Sequence, residues 1–242
     1  MSEYLVKSAR ESDLRTSWTA TVEAYESGLG ALAADLEVEL GLDPDDPALG
    51  AIVNRTLRPG WATSLALLAV RLTSPGVPDL YQGTVSFTYS LVDPDNRVEP
   101  DWDERRALVA AASELDGPRA WSGDDVEAAK AVVITRTLAL RRRRAAAFDA
   151  DAGYVPLEVT GVHADRVLAF ARLSPEGNPL VATAVAMRSV DSWGDTAVTL
   201  AAGAWRSVLA DDSQVVAGGT AVPVSQWLDA FPVAVLDRSD LV

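Results

Sequence analysis

A change of pattern near residue 150 constrains the fold of this 242-residue chain more than any other feature. Before it, apolar residues recur at steps of three and four, which is the period of one helix face. After it, short runs rich in Val and Ala are separated by Gly, Asp, Ser and Pro turns, as in antiparallel strands. We therefore predict an α+β chain, with a mainly helical region at 1–150 and a C-terminal β-sandwich at 151–242.

The helical region is predicted to hold five helices, divided where Pro or Gly interrupts the apolar period. They cover residues 18–40, about 46–57, 61–72, 104–115 and about 122–148. Pro59-Gly60 is expected to separate the second helix from the third. Asp101 or Asp103 is expected to cap the fourth. Arg141–Arg144 should form a solvated end of the fifth helix, with internal ion pairs, where cations suit the helix dipole.

Seven strands are predicted in the second region from their length and their bounding turns. They are Tyr154–Val159, Val167–Ala171, Leu180–Val185, Thr196–Leu200, Trp205–Leu209, Thr220–Val224 and Val233–Leu236. This number and spacing of short strands predict the antiparallel sandwich.

Composition excludes several classes of function. The 21 basic and 35 acidic residues give a net charge of −14, which repels phosphate backbones and anionic lipid, so neither nucleic acid nor a membrane is an expected partner. The chain has no cysteine, which rules out disulfides and thiol chemistry and favours a cytoplasmic location. The N-terminal residues have no apolar run of the kind that an export signal needs, so export is not expected. No glycine-rich phosphate loop is present, so no cofactor is expected.

A single histidine, His163, is the residue that a Ser-His-Asp triad or a histidine metal site would require. It lies between Gly161 and Asp165, in a segment with the composition of a hairpin turn. An exposed turn therefore explains the segment better than a catalytic or metal site.

The run Leu72–Arg97 combines a helix end, a Pro-Gly pair, an apolar segment and an acidic turn, which is typical of a (β/α) barrel reaching its active-site face. Val77–Tyr81 is predicted as a short strand, and Trp61 and Tyr81 flank the candidate site. The turn Asp93–Arg97 does not fit an EF-hand, because Val98 occupies the position that needs glycine. It is either a polar turn directed at a sugar or a self-bonded structural turn.

The segment SPGVPDLYQGT followed by SLVDPDNR resembles the end of the catalytic barrel in the α-amylase superfamily, and more narrowly the maltooligosyl trehalose synthase family. The resemblance implies the last strand and helix elements of a (β/α)8 barrel and an accessory sandwich. It also implies isomerisation of the reducing-end α-1,4 linkage of a maltooligosaccharide to an α,α-1,1 linkage, by retaining intramolecular transglucosylation. The catalytic Asp, Glu and Asp of that family precede the matched segment, so this chain is expected to be a C-terminal portion that is inactive alone.

The same resemblance implies that Tyr81, Asp93, Asp95 and Arg97 shape a substrate pocket, with no catalytic residue in this chain. Val85 departs from the family, which usually has Glu after the Gly-Thr pair. The implied partners are a maltooligosaccharide bound by the complete enzyme, and either the missing barrel portion or a second copy of the chain. The alternative is a non-catalytic carbohydrate-binding or subunit-interaction protein.

Overall fold

The computed structural model describes residues 2–39, 47–89, 99–122, 126–211 and 215–239, except for the side chains at 37, 49 and 54. The chain divides into two compact units, Met1–Leu57 and Arg58–Val242. The predicted boundary near residue 150 stays a prediction. The helices are α1 (Ser2–Ser12), α2 (Glu23–Glu39), α3 (Pro47–Thr73), α4 (Trp102–Ala112), α5 (Gly117–Ser122), α6 (Val126–Arg143) and α7 (Ser225–Leu228).

The first unit pairs α1 with α2 through a side-chain cluster. Arg10 donates two hydrogen bonds to the Glu26 carboxylate, at 2.8 and 2.6 Å. Thr16 Oγ1 donates to Glu26 Oε1 and accepts from Val22 N. The helix was predicted to begin near residue 18, but it begins at Glu23. The reason is that the Thr16 hydroxyl holds the residues before α2 in a turn.

Helix α3 is continuous from Pro47 to Thr73, so the predicted break at Pro59-Gly60 is wrong. Pro59 has no N–H to donate, so the helix loses one backbone hydrogen bond, the one to the Arg55 carbonyl. Thr63 Oγ1 donates to the Pro59 carbonyl at 2.9 Å. Beyond the proline, the helix buries Leu65 and Leu72 completely in the core. Burial of this apolar face outweighs the cost of one proline.

The predicted helices after residue 100 are present with shifted ends. Asp101 caps α4 as predicted, since its Oδ1 accepts from the backbone N–H groups of Asp103 and Glu104 at 3.0 and 2.9 Å. Helix α6 ends at Arg143, and a 3-10 turn at Ala145–Ala147 follows it. Several residues of α6 are buried, so this helix forms much of the core of the second unit.

All seven predicted strand regions contain strands, usually with bounds one to three residues different. The strands are β1 (Gly153–Pro156), β2 (Val159–Thr160), β3 (Val167–Leu173), β4 (Pro179–Ala186), β5 (Ala197–Thr199), β6 (Ala204–Ser207), β7 (Val216–Ala217), β8 (Ala221–Pro223) and β9 (Val233–Arg238). The first predicted strand is divided between β1 and β2, and β7 was not predicted because it is only two residues long.

The strands form two antiparallel sheets, with the orders β1-β3-β4-β9-β6-β7 and β2-β5-β8. Strand β4 shows how the larger sheet uses both faces. Val181 and Val185 belong to a core cluster with α3 and α6, whereas Ala182 and Ala184 belong to a second cluster with the smaller sheet. A buried hydrogen bond of 3.0 Å from Thr183 Oγ1 to Thr73 Oγ1 also joins β4 to α3. Alternation along one strand therefore serves two cores.

The segment predicted as a short strand at Val77–Tyr81 is not a strand. Residues 77–80 have no regular structure, and Tyr81–Gly83 forms a 3-10 turn. Pro78 supplies no ladder donor, and left-handed backbone at Gln82 and Gly83 turns the chain away from an extended path.

The prediction of a solvated end of α6 with ion pairs is confirmed in part. Arg142 and Arg143 are exposed, whereas Arg141 and Arg144 are partly buried and bind other parts of the unit. Arg141 donates to the carbonyls of Leu72 and Gly76, at 2.9 and 2.8 Å. Arg143 and Arg144 both donate to Asp237 on β9. Burial lowers the pKa of Arg141, and the nearby charge of Arg172 acts in the same direction.

Candidate functional site

The candidate site is the chain that follows α3, residues 74–89, which we call the post-α3 loop. Arg141 holds its beginning through the Leu72 and Gly76 carbonyls. The loop then turns sharply, because Gln82 and Gly83 both adopt positive φ, at 48° and 59°. A Cβ atom on Gly83 would lie 2.8 Å from Trp102 Cζ3, so this position needs glycine for both its backbone and its space.

Helix α4 holds the turn from one side. Arg105 Nε donates to the Gly83 carbonyl at 3.1 Å, while its Nη1 donates to the Asp101 carbonyl at 3.2 Å. The Arg105 guanidinium lies 5.8 Å from the centre of the Trp102 ring. One arginine thus connects the turn to the first residues of α4.

Helix α6 holds the second half of the loop. Glu127 Oε2 accepts from Phe87 N at 2.5 Å, and Lys130 Nζ donates to the Ser86 carbonyl. Burial lowers the pKa of Lys130, against the raising effect of the Glu127 charge, and the charge of Arg105 lowers it further. The carboxylate of Glu127 is occupied with a backbone donor, so its role here is to position the loop.

An aromatic pair joins α3 to the end of this loop, with Tyr89 exposed and Trp61 partly buried. Trp61 Nε1 donates to the Tyr89 hydroxyl at 2.7 Å, and 72% of the Tyr89 side chain is accessible to solvent. Phe87 lies behind the pair, with its ring centre 6.3 Å from that of Trp61 and 5.4 Å from Lys130 Nζ. Exposed aromatic faces with a polar tip suit ligands that have both apolar and hydroxyl surfaces.

The predicted site residues are only partly described. Tyr81 opens the 3-10 turn and is 53% exposed, as a ligand-contacting residue would be. Asp93, Asp95 and Arg97 lie outside the described residues, so their role stays a prediction. Val85, where the resemblance implies Glu, is buried and packs in the core.

His163 lies in a turn, as predicted, before a 3-10 turn at Ala164–Arg166. Its backbone N–H donates to Thr196 Oγ1 at 3.1 Å, which is a structural contact. Within the part of the chain that the structure describes, no group of three or more His, Asp or Glu side chains is arranged to hold a metal ion. Among the same residues, no helix is both long and apolar enough to span a bilayer.

Sequence reasoning missed the three residues that position the loop: Arg105, Glu127 and Lys130. Each lies inside a helix in a context that predicts a solvated charge, and nothing local indicates a partner 22 to 44 residues away. The burial of neighbouring α6 residues is the one available signal, since a charge on a largely buried helix needs a specific partner.

The chain has relatives of known kind. No family model matches it. A Mycobacterium tuberculosis protein named as a maltooligosyl trehalose synthase is 31% identical over 237 residues, which are 98% of this chain and 28% of that protein. The maltooligosyltrehalose synthase structure from Arthrobacter ramosus matches with a TM-score of 0.74 and 29% identity, over 98% of this chain and 30% of that one.

A structure from Sulfolobus tokodaii, titled as a hypothetical maltooligosyl trehalose synthase, has a TM-score of 0.59 at 20% identity and supports the fold alone. The chain spans less than a third of the length of the relatives it matches, 28% in sequence and 30% in the Arthrobacter structure. Along nearly its whole length, then, the chain is related in sequence and in fold to maltooligosyl trehalose synthase, as the motifs between Ser74 and Arg97 predicted.

Proposed function

We propose that this chain is the C-terminal part of an enzyme that converts the reducing-end α-1,4 linkage of a maltooligosaccharide to an α,α-1,1 linkage. The observation that carries the proposal is the match over 98% of the chain to proteins of that name. The reaction is a retaining intramolecular transglucosylation and needs a nucleophilic carboxylate and a second carboxyl about 5 Å away. In the family these acids belong to barrel strands that precede the matched segment.

In this proposal the post-α3 loop is the closing edge of a (β/α)8 barrel, and the two sheets are a β-sandwich that follows it. Tyr81 and the Trp61–Tyr89 pair contact the glucan, together with Asp93, Asp95 and Arg97. None of them performs the chemical step. We place the complete enzyme in the cytoplasm, which the lack of cysteine in this portion of it fits.

The exposed apolar side chains of residues 2–57 support the proposal that this chain binds another protein portion. Among the described side chains of this unit, Ala33 is the one buried apolar residue, whereas nine large apolar side chains are exposed. The exposed residues are Tyr4, Leu14, Trp18, Val22, Tyr25, Leu32, Val38, Ile52 and Val53. A unit with this distribution lacks a core of its own and is expected to bury the exposed residues against other protein. The remaining barrel portion is the proposed cover, and self-association is the expected outcome without it.

A complementation assay tests the proposal. The portion of the Mycobacterium tuberculosis relative that this chain does not span is expressed separately and mixed with the chain and maltopentaose. We expect loss of reducing ends only in the mixture, because neither part alone holds both the acids and the closing edge. Conversion of maltopentaose by the chain alone would refute the proposal that it is inactive without the rest of the enzyme. If the two parts bound each other but the mixture stayed inactive, that result would count against the family function.

A second candidate, a non-catalytic carbohydrate-binding protein, is favoured by the exposed Tyr89, whose hydroxyl accepts from Trp61. Titration with maltoheptaose, followed by tryptophan fluorescence, separates the two functions. Saturation below about 1 mM by the chain alone, abolished by Tyr89→Ala and retained by Tyr89→Phe, would favour a binding module. No response at that concentration would favour a part that binds glucan only within the complete enzyme.

A further inference from the structure

A groove in the second unit lies between the middle of α3, α5 and the loop that follows β4. Its volume is about 810 Å3, and its lining includes Arg58, Trp121, Arg166, Arg188 and Phe231. None of these residues belongs to the post-α3 loop. The three arginines come from three separate elements, so the fold brings them together although they are far apart in the sequence.

Two of the arginines are held in place by uncharged groups. The Arg58 guanidinium lies 4.5 Å from the centre of the Trp121 ring, and its Nη2 donates to the Trp121 carbonyl at 3.0 Å. The edge of the Trp121 ring contacts Phe231 at a centre-to-centre distance of 6.1 Å. Arg166 Nη1 donates to the Ser189 carbonyl at 3.3 Å. Each guanidinium has further N–H groups that these contacts do not use.

None of the three arginines has a carboxylate within ion-pair distance in the part of the chain that the structure describes, where other arginines do form such pairs. Asp191 and Asp229 also line the groove, which leaves three positive and two negative side chains, a sum of +1. The chain as a whole carries −14. A local excess of cations in a concave, partly apolar site attracts anions, and the distant negative charges are screened beyond about 10 Å at 0.1 M salt.

We propose that this groove binds a small organic phosphate, with the phosphoryl group on the arginines and the remainder of the ligand against Trp121 and Phe231. Arginine is suited to phosphate because its planar N–H groups bind two oxygens at once. The volume is several times that of a phosphate ion, which is why an organic ester fits better than inorganic phosphate. The site is independent of the proposed glucan function and separate from the loop that carries it.

Tryptophan fluorescence of the full chain provides the assay, because Trp121 and Trp193 both line the groove. The probes are glucose 6-phosphate, inorganic phosphate and glucose, each titrated to 10 mM at 50 mM salt. We expect saturation with glucose 6-phosphate, binding at least about fivefold weaker with inorganic phosphate, and no saturation with glucose. Raising the salt to 0.5 M should weaken binding.

Arg188→Gln should weaken binding of glucose 6-phosphate about tenfold, and Arg188→Lys should weaken it less, since lysine keeps the charge but cannot bind two oxygens in the same way. Arg142→Gln is the matched control: it removes one positive charge from an exposed position that does not line the groove. Equal weakening in Arg142→Gln and Arg188→Gln would refute the site, as would equal binding of glucose and glucose 6-phosphate. Absence of saturation in the folded wild-type chain would refute it as well.

Discussion

Replacement of Asp237 by Asn tests whether the end of α6 holds the large sheet to the helices. The Asp237 carboxylate on β9 accepts hydrogen bonds from Arg143 Nη2 at 2.8 Å and from Arg144 Nε at 2.7 Å. The side chains of Asp237 and Arg144 are mostly buried, at 13% and 12% exposed, whereas that of Arg143 is 53% exposed. The inner pair should therefore contribute most of the effect, because solvent screens the outer one.

Asn keeps the shape of Asp237 but removes the charge. Its amide nitrogen is itself a donor, so it cannot accept from the arginine N–H group that it faces. We expect the variant to lose about 2–3 kcal/mol from the Arg144 pair, as for a charge-assisted hydrogen bond, and less than about 1 kcal/mol from the exposed Arg143 pair. The sum of about 3 kcal/mol corresponds to a fall in Tm of roughly 6–12 °C for a unit of this size.

Urea denaturation followed by tryptophan fluorescence measures this loss. Trp205, which is buried on β6 and pairs with Arg238 of β9, contributes to the signal. The arginines supply graded controls. Arg144→Gln should lower the free energy of unfolding by about 2–3 kcal/mol, and Arg143→Gln by less than about 1 kcal/mol. Arg142→Gln should leave it within about 0.5 kcal/mol of the wild-type value. If Asp237→Asn unfolded within 0.5 kcal/mol of wild type, or if the two contacting arginines contributed equally, burial would not be the deciding factor.

Three further perturbations have signs that the structure fixes. Thr137→Val should raise the free energy of unfolding by about 1 kcal/mol in urea denaturation, because its buried hydroxyl meets no partner among the described residues; destabilisation would contradict this. Gly83→Ala should cost about 1–3 kcal/mol and speed hydrogen exchange in the post-α3 loop, since the new methyl would meet Trp102 at 2.8 Å and φ is +59°; unchanged exchange would oppose the reasoning. The hydrogen bonds from Arg10 lower the pKa of Glu26 from 4.5 to about 2, so its stabilisation is complete above pH 4.5 and is lost as the pH falls through 2. The difference in stability between wild type and Glu26→Gln should vanish over that range, and a difference that persists at pH 2 would count against it.

Strand and cap positions were predictable because their determinants are local. All seven predicted strand regions are present, and Asp101 caps α4 through its own neighbours along the chain. The errors arise where distant contacts override a local signal. Pro59 does not end α3 because the helix continues into a buried face, and the arginines after Leu140 bind Leu72, Gly76 and Asp237, which no local pattern indicates.

The post-α3 loop shows why a motif predicts a site better than it predicts the site's geometry. Gly76 and Gly83, from its Pro-Gly and Tyr-x-Gly motifs, both adopt the positive φ that turns require. Together with the SLVDPDNR run that follows them, these motifs predicted the family of the relatives. Contacts that hold this loop come from Arg105, Glu127 and Lys130, on helices that the motif does not include. Because those contacts are made to backbone atoms, they do not depend on which side chains the loop carries. The position of the loop is thus set by the helices, while its ligand chemistry depends on the few exposed side chains, of which Tyr81 and Tyr89 are described.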